Sequence, residues 1–117
     1  MKIMSNTFSQ VILFQVKPDK TDAFEDLICK MKGEQQKLLG CVQVKYMKRF
    51  FTFDDVNSGK PPRELTKIVK CVKYYGYYEF DSIENCGKAV EWLFSNYTKE
   101  LMKTLVSPFD MMSGYSL

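Results

Sequence analysis

The run Lys73-Tyr74-Tyr75-Gly76-Tyr77-Tyr78-Glu79-Phe80 lies between a turn-rich stretch and a helical pattern. Alternating aromatic residues of this kind mark a strand half-buried in a sheet. Reading outward from it, the signals come in the order strand, helix, glycine, strand, long hairpin, strand, helix. That order restricts the chain to an α+β architecture in which two helices cover one face of an antiparallel sheet. The opposite face then needs a partner, and what covers it decides the function.

The individual elements carry their own signals. Val11 to Val16 is a short apolar run closed by Lys17-Pro18-Asp19, where proline ends the strand. Thr21 is positioned to cap a helix running to Leu39, with Asp22, Glu25 and Asp26 at the positive end of its dipole. Its apolar stripe is Phe24, Leu27, Ile28, Met31, Leu38 and Leu39, and Gly40 follows as a left-handed stop. A second strand spans Cys41 to Phe53, with Val42, Val44, Tyr46 and Phe50 on one parity. Asp54 to Pro62 has turn composition and forms the hairpin tip.

The third strand extends from Leu65 to Phe80. Ile68, Val72, Tyr74, Tyr78 and Phe80 share the helix-facing parity, and Val69, Cys71, Lys73, Tyr75 and Tyr77 share the other. Asp81 with Glu84 resembles a capping box opening a helix from Ser82 to Leu105, with a stripe of Cys86, Ala89, Val90, Leu93, Phe94, Tyr97 and Leu101. Trp92 falls opposite that stripe, which predicts a surface or subunit contact. Pro108 ends the helix, and Phe109 to Leu117 supplies a fourth strand. Together these predict one ferredoxin-like βαββαβ sandwich over residues 1–117.

Composition removes several classes. With 117 residues and 45% hydrophobic content, the chain buries a core without metal or disulfides. Cys29, Cys41, Cys71 and Cys86 form no CxxC pair and read as buried thiols, so no metal site is expected. Only a short apolar run follows the N-terminus, neither a signal peptide nor a membrane span, so the expected location is cytoplasmic, with no membrane partner. A net charge of +3 is too small to imply nucleic acid. Basic residues are nonetheless concentrated between Lys45 and Lys73, which reads as a solvated hairpin.

Val16-Lys17-Pro18-Asp19-Lys20-Thr21-Asp22-Ala23-Phe24-Glu25-Asp26-Leu27, then Leu39-Gly40-Cys41, then Tyr78-Glu79-Phe80-Asp81-Ser82 resemble the dimeric α+β barrel family typified by antibiotic biosynthesis monooxygenases. The resemblance implies a homodimer in which two open sheet faces close into a barrel. It also implies a small pocket in each subunit, and oxygenation of a small aromatic or polyketide-like ligand without a cofactor. The haem-degrading branch of that family holds iron through histidine; this chain has none, and Phe80 stands where that branch carries tryptophan. On the helix-facing parity, Tyr46, Phe50, Tyr74, Tyr78 and Phe80, joined by Tyr97, are the candidate pocket lining. Tyr75 and Tyr77 are the candidate dimer contacts. No residue stands out as the catalytic base.

Two other readings use the same residues. Lys73 to Phe80 is similar to the base-stacking strand of RNA-recognition motifs, with Tyr75 and Tyr77 as the platform and Leu13-Phe14 as its companion. Tyr74 in place of that motif's first glycine, and helices longer than the motif's, disfavour a nucleic-acid partner. A dimer that binds a ligand without catalysis is the third.

Overall fold

The computed structural model describes residues 6–67 and 70–117. Its strands are β1 (Phe8–Val16), β2 (Cys41–Lys48), β3 (Phe51–Thr52), β4 (Arg63–Glu64), β5 (Val72–Phe80) and β6 (Asp110–Tyr115), and its helices α1 (Thr21–Gln35) and α2 (Ile83–Met102). β2, β5, β1 and β6 form one antiparallel sheet in that spatial order, the ferredoxin-like arrangement, while β3 and β4 form a separate ribbon.

Strict alternation places the core on the helix-covered face. Phe8, Gln10, Ile12, Phe14 and Val16 of β1 and Val72, Tyr74, Tyr78 and Phe80 of β5 are buried, whereas Ser9, Val11, Leu13, Lys73, Tyr75, Tyr77 and Glu79 are half-exposed on the other face. β1 starts three residues before the apolar run, because Gln10 takes a buried position that hydropathy assigns to a loop. β6 pairs with β1 of the same chain.

Several boundaries differ from the sequence reading. Thr21 is the first helical residue, not the cap; a 3₁₀ turn at Pro18–Lys20 leads in, with no side-chain cap. α1 stops at Gln35, four residues before Leu39, and Leu38 N–H donates to the Gln35 carbonyl in a tightened turn. The turn ends at Gly40, with φ +80°. A Cβ there would lie 2.3 Å from Asp81 Oδ1, so glycine lets the loop touch the entry to α2, where Asp81 N–H donates to the Gly40 carbonyl at 2.8 Å. α2 is capped by Ser82, whose hydroxyl accepts from Asn85 N–H at 3.1 Å, and Asp81 accepts from the Asn85 amide instead of joining a capping box. α2 ends at Met102, because Leu105 bridges to Val16 and Val106 N–H donates to Gln15.

The long second and third strands predicted from the sequence are interrupted. A register shift between Cys41 and Gln43 turns Val42 outward, 55% exposed. After Arg49 N–H donates to the Lys73 carbonyl, the chain leaves the sheet, and Phe51 and Phe53 belong to an exposed ribbon. Ile68 and Val69, assigned to the third strand, lie outside the described residues. Trp92 is half-buried against the core, its ring 5.4 Å from that of Tyr97, so it is not on the outward side of α2. Of the cysteines only Cys86 is buried; Cys29 is exposed, and Cys41 and Cys71 are intermediate.

Gly76 is a packing requirement. Tyr46 lies directly opposite it on β2, and a Cβ on Gly76 would come 2.9 Å from the Tyr46 ring. Gly76→Ala reduces unfolded-state freedom, worth about 0.4–1 kcal/mol in favour of the variant. Overpacking against a pinned ring costs about 1–3 kcal/mol, so the variant is expected to be less stable in urea. Removing the ring with Tyr46→Leu relieves the clash. A Gly76→Ala cost that stayed the same in that background would disprove the packing account.

Candidate functional site

A solvent-open cleft of about 220 Å³ lies where α1 crosses the β2 edge, lined by Glu25, Ile28, Cys29, Tyr46, Met47, Lys48 and Tyr74. Helical spacing sets Glu25, Ile28 and Cys29 on one face of α1, and strand alternation turns Tyr46 and Tyr74 toward it. Ile28 and the Tyr46 ring make the apolar walls, and three polar groups meet in one corner.

In that corner the Tyr74 hydroxyl donates to Glu25 Oε2, and Lys48 Nζ donates to the same oxygen at 3.1 Å. Both bonds converge on Oε2, so Glu25 Oε1 has no hydrogen bond within the described residues. The Tyr74 bond foremost, and then Lys48, holds the Glu25 carboxyl below the usual range against the opposing effect of burial. Burial first, and then Glu25, pushes the Tyr74 phenol above its ordinary value. The Lys48 and Glu25 side chains are 38% and 47% exposed, so the ion pair contributes at most about 1 kcal/mol and serves to place the ammonium. That ammonium lies 5.6 Å from the Phe50 ring centroid and 5.8 Å from that of Tyr74.

Behind the cleft wall the Tyr46 hydroxyl donates to Gln35 Oε1 at 2.6 Å and stands 2.6 Å from the Tyr78 hydroxyl. With its one proton committed to Gln35, Tyr46 accepts from Tyr78. Burial, foremost, pushes both phenols up. Tyr46 therefore shows a ligand its ring and keeps its hydroxyl inside.

The six aromatics assigned to a pocket take different places. Tyr46 and Tyr74 line the cleft, Tyr78 lies behind Tyr46, and Phe50 lines a neighbouring depression at the hairpin base. Phe80 is core, 1% exposed. Tyr97 donates to Glu34 at 2.8 Å and joins the helices; burial, and then Glu34, pushes its phenol up to about 12. Sequence reading missed Glu25, Lys48 and Gln35 as site residues. For Gln35 the signal was a polar residue on the continuation of the stripe through Ile28 and Met31.

Tyr75 and Tyr77 project from the open sheet face. There Tyr77, Ser9, Thr7 and Ser116 form a hydroxyl network that reaches Glu79. Among the described residues no group of three His, Cys, Asp or Glu side chains is placed to hold a metal, and no helix is long and apolar enough to cross a membrane.

No family model matches the sequence, and no curated protein matches it. Solved structures do. A candidate antibiotic biosynthesis monooxygenase of Nitrosomonas europaea superposes with a TM-score of 0.72 at 11% identity, covering 100% of this chain and 96% of that one. This chain has the antibiotic biosynthesis monooxygenase-like fold. The same fold relates it to a candidate monooxygenase of Bordetella bronchiseptica, with a TM-score of 0.67 at 11% identity over 96% and 98% of the two chains. SnoaB of Streptomyces nogalater, a cofactor-independent oxygenase, aligns with a TM-score of 0.62 at 14% identity over 92% and 91%. At these identities the antibiotic biosynthesis monooxygenase-like fold is what is shared, and the chemistry has to be argued from the cleft.

Proposed function

We propose that this chain is a homodimer that binds a flat, oxygen-bearing aromatic molecule in the α1–β2 cleft and oxygenates it without a cofactor. The observation that carries the reading is the polar corner of Lys48, Glu25 and Tyr74 at the rim of an otherwise apolar cleft. A fold shared with a cofactor-independent oxygenase adds to it.

The Glu25 carboxyl is a poor base here. Its proton affinity is held below the ordinary 4.5, more than five pKa units under a phenol near 10. Direct abstraction would cost upwards of about 7 kcal/mol. Lys48 is better suited to act: fixed by Glu25, it retains two N–H donors for a substrate anion whose proton leaves to water through the open cleft. A doubly activated methylene deprotonated there gives its electrons to dioxygen; the C–OOH formed loses water to leave a ketone. One O₂ and one CH₂ thus become one C=O and one H₂O, with the substrate as sole reductant. Ile28 and Tyr46 hold the ring system in place.

Half-exposed Val11, Leu13, Tyr75 and Tyr77 with exposed Met47 and Met112 favour a second copy as cover for the open face. Oxygen uptake with anthrone as probe tests the chemistry, and Lys48→Met is expected to lower it at least about tenfold. Anthrone binding without uptake would reduce the protein to a binder, and no binding would remove the reading. A native mass spectrum is expected to give a dimer that Tyr75→Glu converts to monomer, by burying an unpaired charge. A wild-type monomer would send Tyr75 and Tyr77 to the RNA-platform reading.

A further inference from the structure

The hairpin base holds a second depression, of about 120 Å³, that the cleft does not use. Arg49, Lys67 and Lys73 border it, Phe50, Leu65 and Val72 supply apolar lining, and the half-buried Cys71 stands in its wall. Among the described residues no carboxylate lines it. Among the described residues the ion pairs are Lys48–Glu25 and Arg63–Asp55, so none of the three cations is paired.

The backbone, not an acidic counterpart, gathers these charges. Arg49 N–H donates to the Lys73 carbonyl at 2.9 Å, which joins the outgoing and returning strands, and Leu65 N–H donates to the Phe50 carbonyl at 2.7 Å, which folds the ribbon back. The region is also the seat of the chain's positive charge. Between Lys45 and Lys73 lie eight of the 17 basic residues and three of the 14 acidic ones, which leaves nine basic and eleven acidic elsewhere. Three unpaired cationic residues bordering one depression beside apolar surface give it a positive potential that favours an anion.

We propose that this depression is a binding site for an oxyanion, carboxylate or phosphate, carried on an apolar body the size of one ring. At about 120 Å³ the depression is smaller than the roughly 150 Å³ apolar cavity that holds benzene, so it takes no more than one ring, partly inserted, with the oxyanion at its rim. The Arg49 fork and the two ammonium groups supply charge-assisted donors for the oxyanion.

Titration calorimetry of the full chain with phenyl phosphate, benzoate, inorganic phosphate and phenol tests the assignment. Phenyl phosphate or benzoate is expected to bind more tightly than inorganic phosphate or phenol and to weaken with salt, and the stronger of the two identifies the oxyanion. Arg49→Gln and Lys67→Gln, both at exposed positions, are each expected to lower that affinity roughly tenfold. Two thiols report location: occupancy slows alkylation of Cys71 and leaves Cys29, in the other cleft, unchanged. Failure of both ring anions to bind, equal binding of phenol, unchanged affinity in both variants, or protection of Cys29 in place of Cys71 would each overturn the proposal.

Discussion

Raising the pH from 10 toward 12 is expected to unfold this protein cooperatively. Tyr46, Tyr74, Tyr78 and Tyr97 all have phenols raised above the ordinary 10, each chiefly by burial, and Tyr97 reaches about 12. Above pH 10 the unfolded chain releases these protons while the folded chain keeps them. The unfolded state then binds fewer protons, and stability falls with rising pH; below pH 10 the two states bind equally and nothing is lost. Each phenol contributes a slope approaching 1.4 kcal/mol per pH unit, so four together approach about 5 kcal/mol per unit. Against a typical total of about 5–15 kcal/mol, a loss of that order over two units removes most of the stability. Far-ultraviolet circular dichroism and tyrosinate absorbance are expected to change together. Phenols that titrate gradually while the fold persists would mean that these four are not held as described.

Phe14→Ala is expected to cost about 3–5 kcal/mol in urea unfolding. Its side chain is fully buried, and its ring lies 5.3 Å from that of Phe24 on α1, 6.4 Å from Tyr46 on β2 and 5.6 Å from Phe109 before β6. Truncation leaves a void bordered by α1, β2 and the segment before β6, and the backbones of α1 and β2, fixed by helix and sheet hydrogen bonds, cannot collapse into it. For a chain of this length the midpoint falls by roughly 10–20 °C. Phe53→Ala is the matched control: at 67% exposure it loses little burial and is expected to change stability by no more than about 0.5 kcal/mol. Equal effects from the two would contradict this placement of the core.

The sheet was legible because period-two alternation survives in β1 and β5 even where both faces carry aromatics. Tyr74 and Tyr78 differ from Tyr75 and Tyr77 by parity alone, and the structure follows parity. Boundaries were less legible where residue chemistry opposes location. Gln10 is buried, Leu39 is 74% exposed in a turn, and Phe51 and Phe53 belong to a ribbon outside the main sheet. The site was legible only in part. Tyr46 and Tyr74 announce themselves as aromatics on the inner face, but Glu25 read as a dipole-favouring residue and Lys48 as one of a basic series. Their meeting depends on where α1 crosses the sheet edge, and no local pattern encodes that crossing.

The interior position of β1 in the sheet has a consequence for the order in which the chain emerges during synthesis. Phe8–Val16 emerges before both of its neighbours in the sheet, Val72–Phe80 and Asp110–Tyr115. Until those segments leave the ribosome, this apolar strand has two bare edges and no native strand to fill either. Such edges template pairing with other nascent chains. The hazard lasts until Asp110–Tyr115 emerges, since that strand closes the second edge.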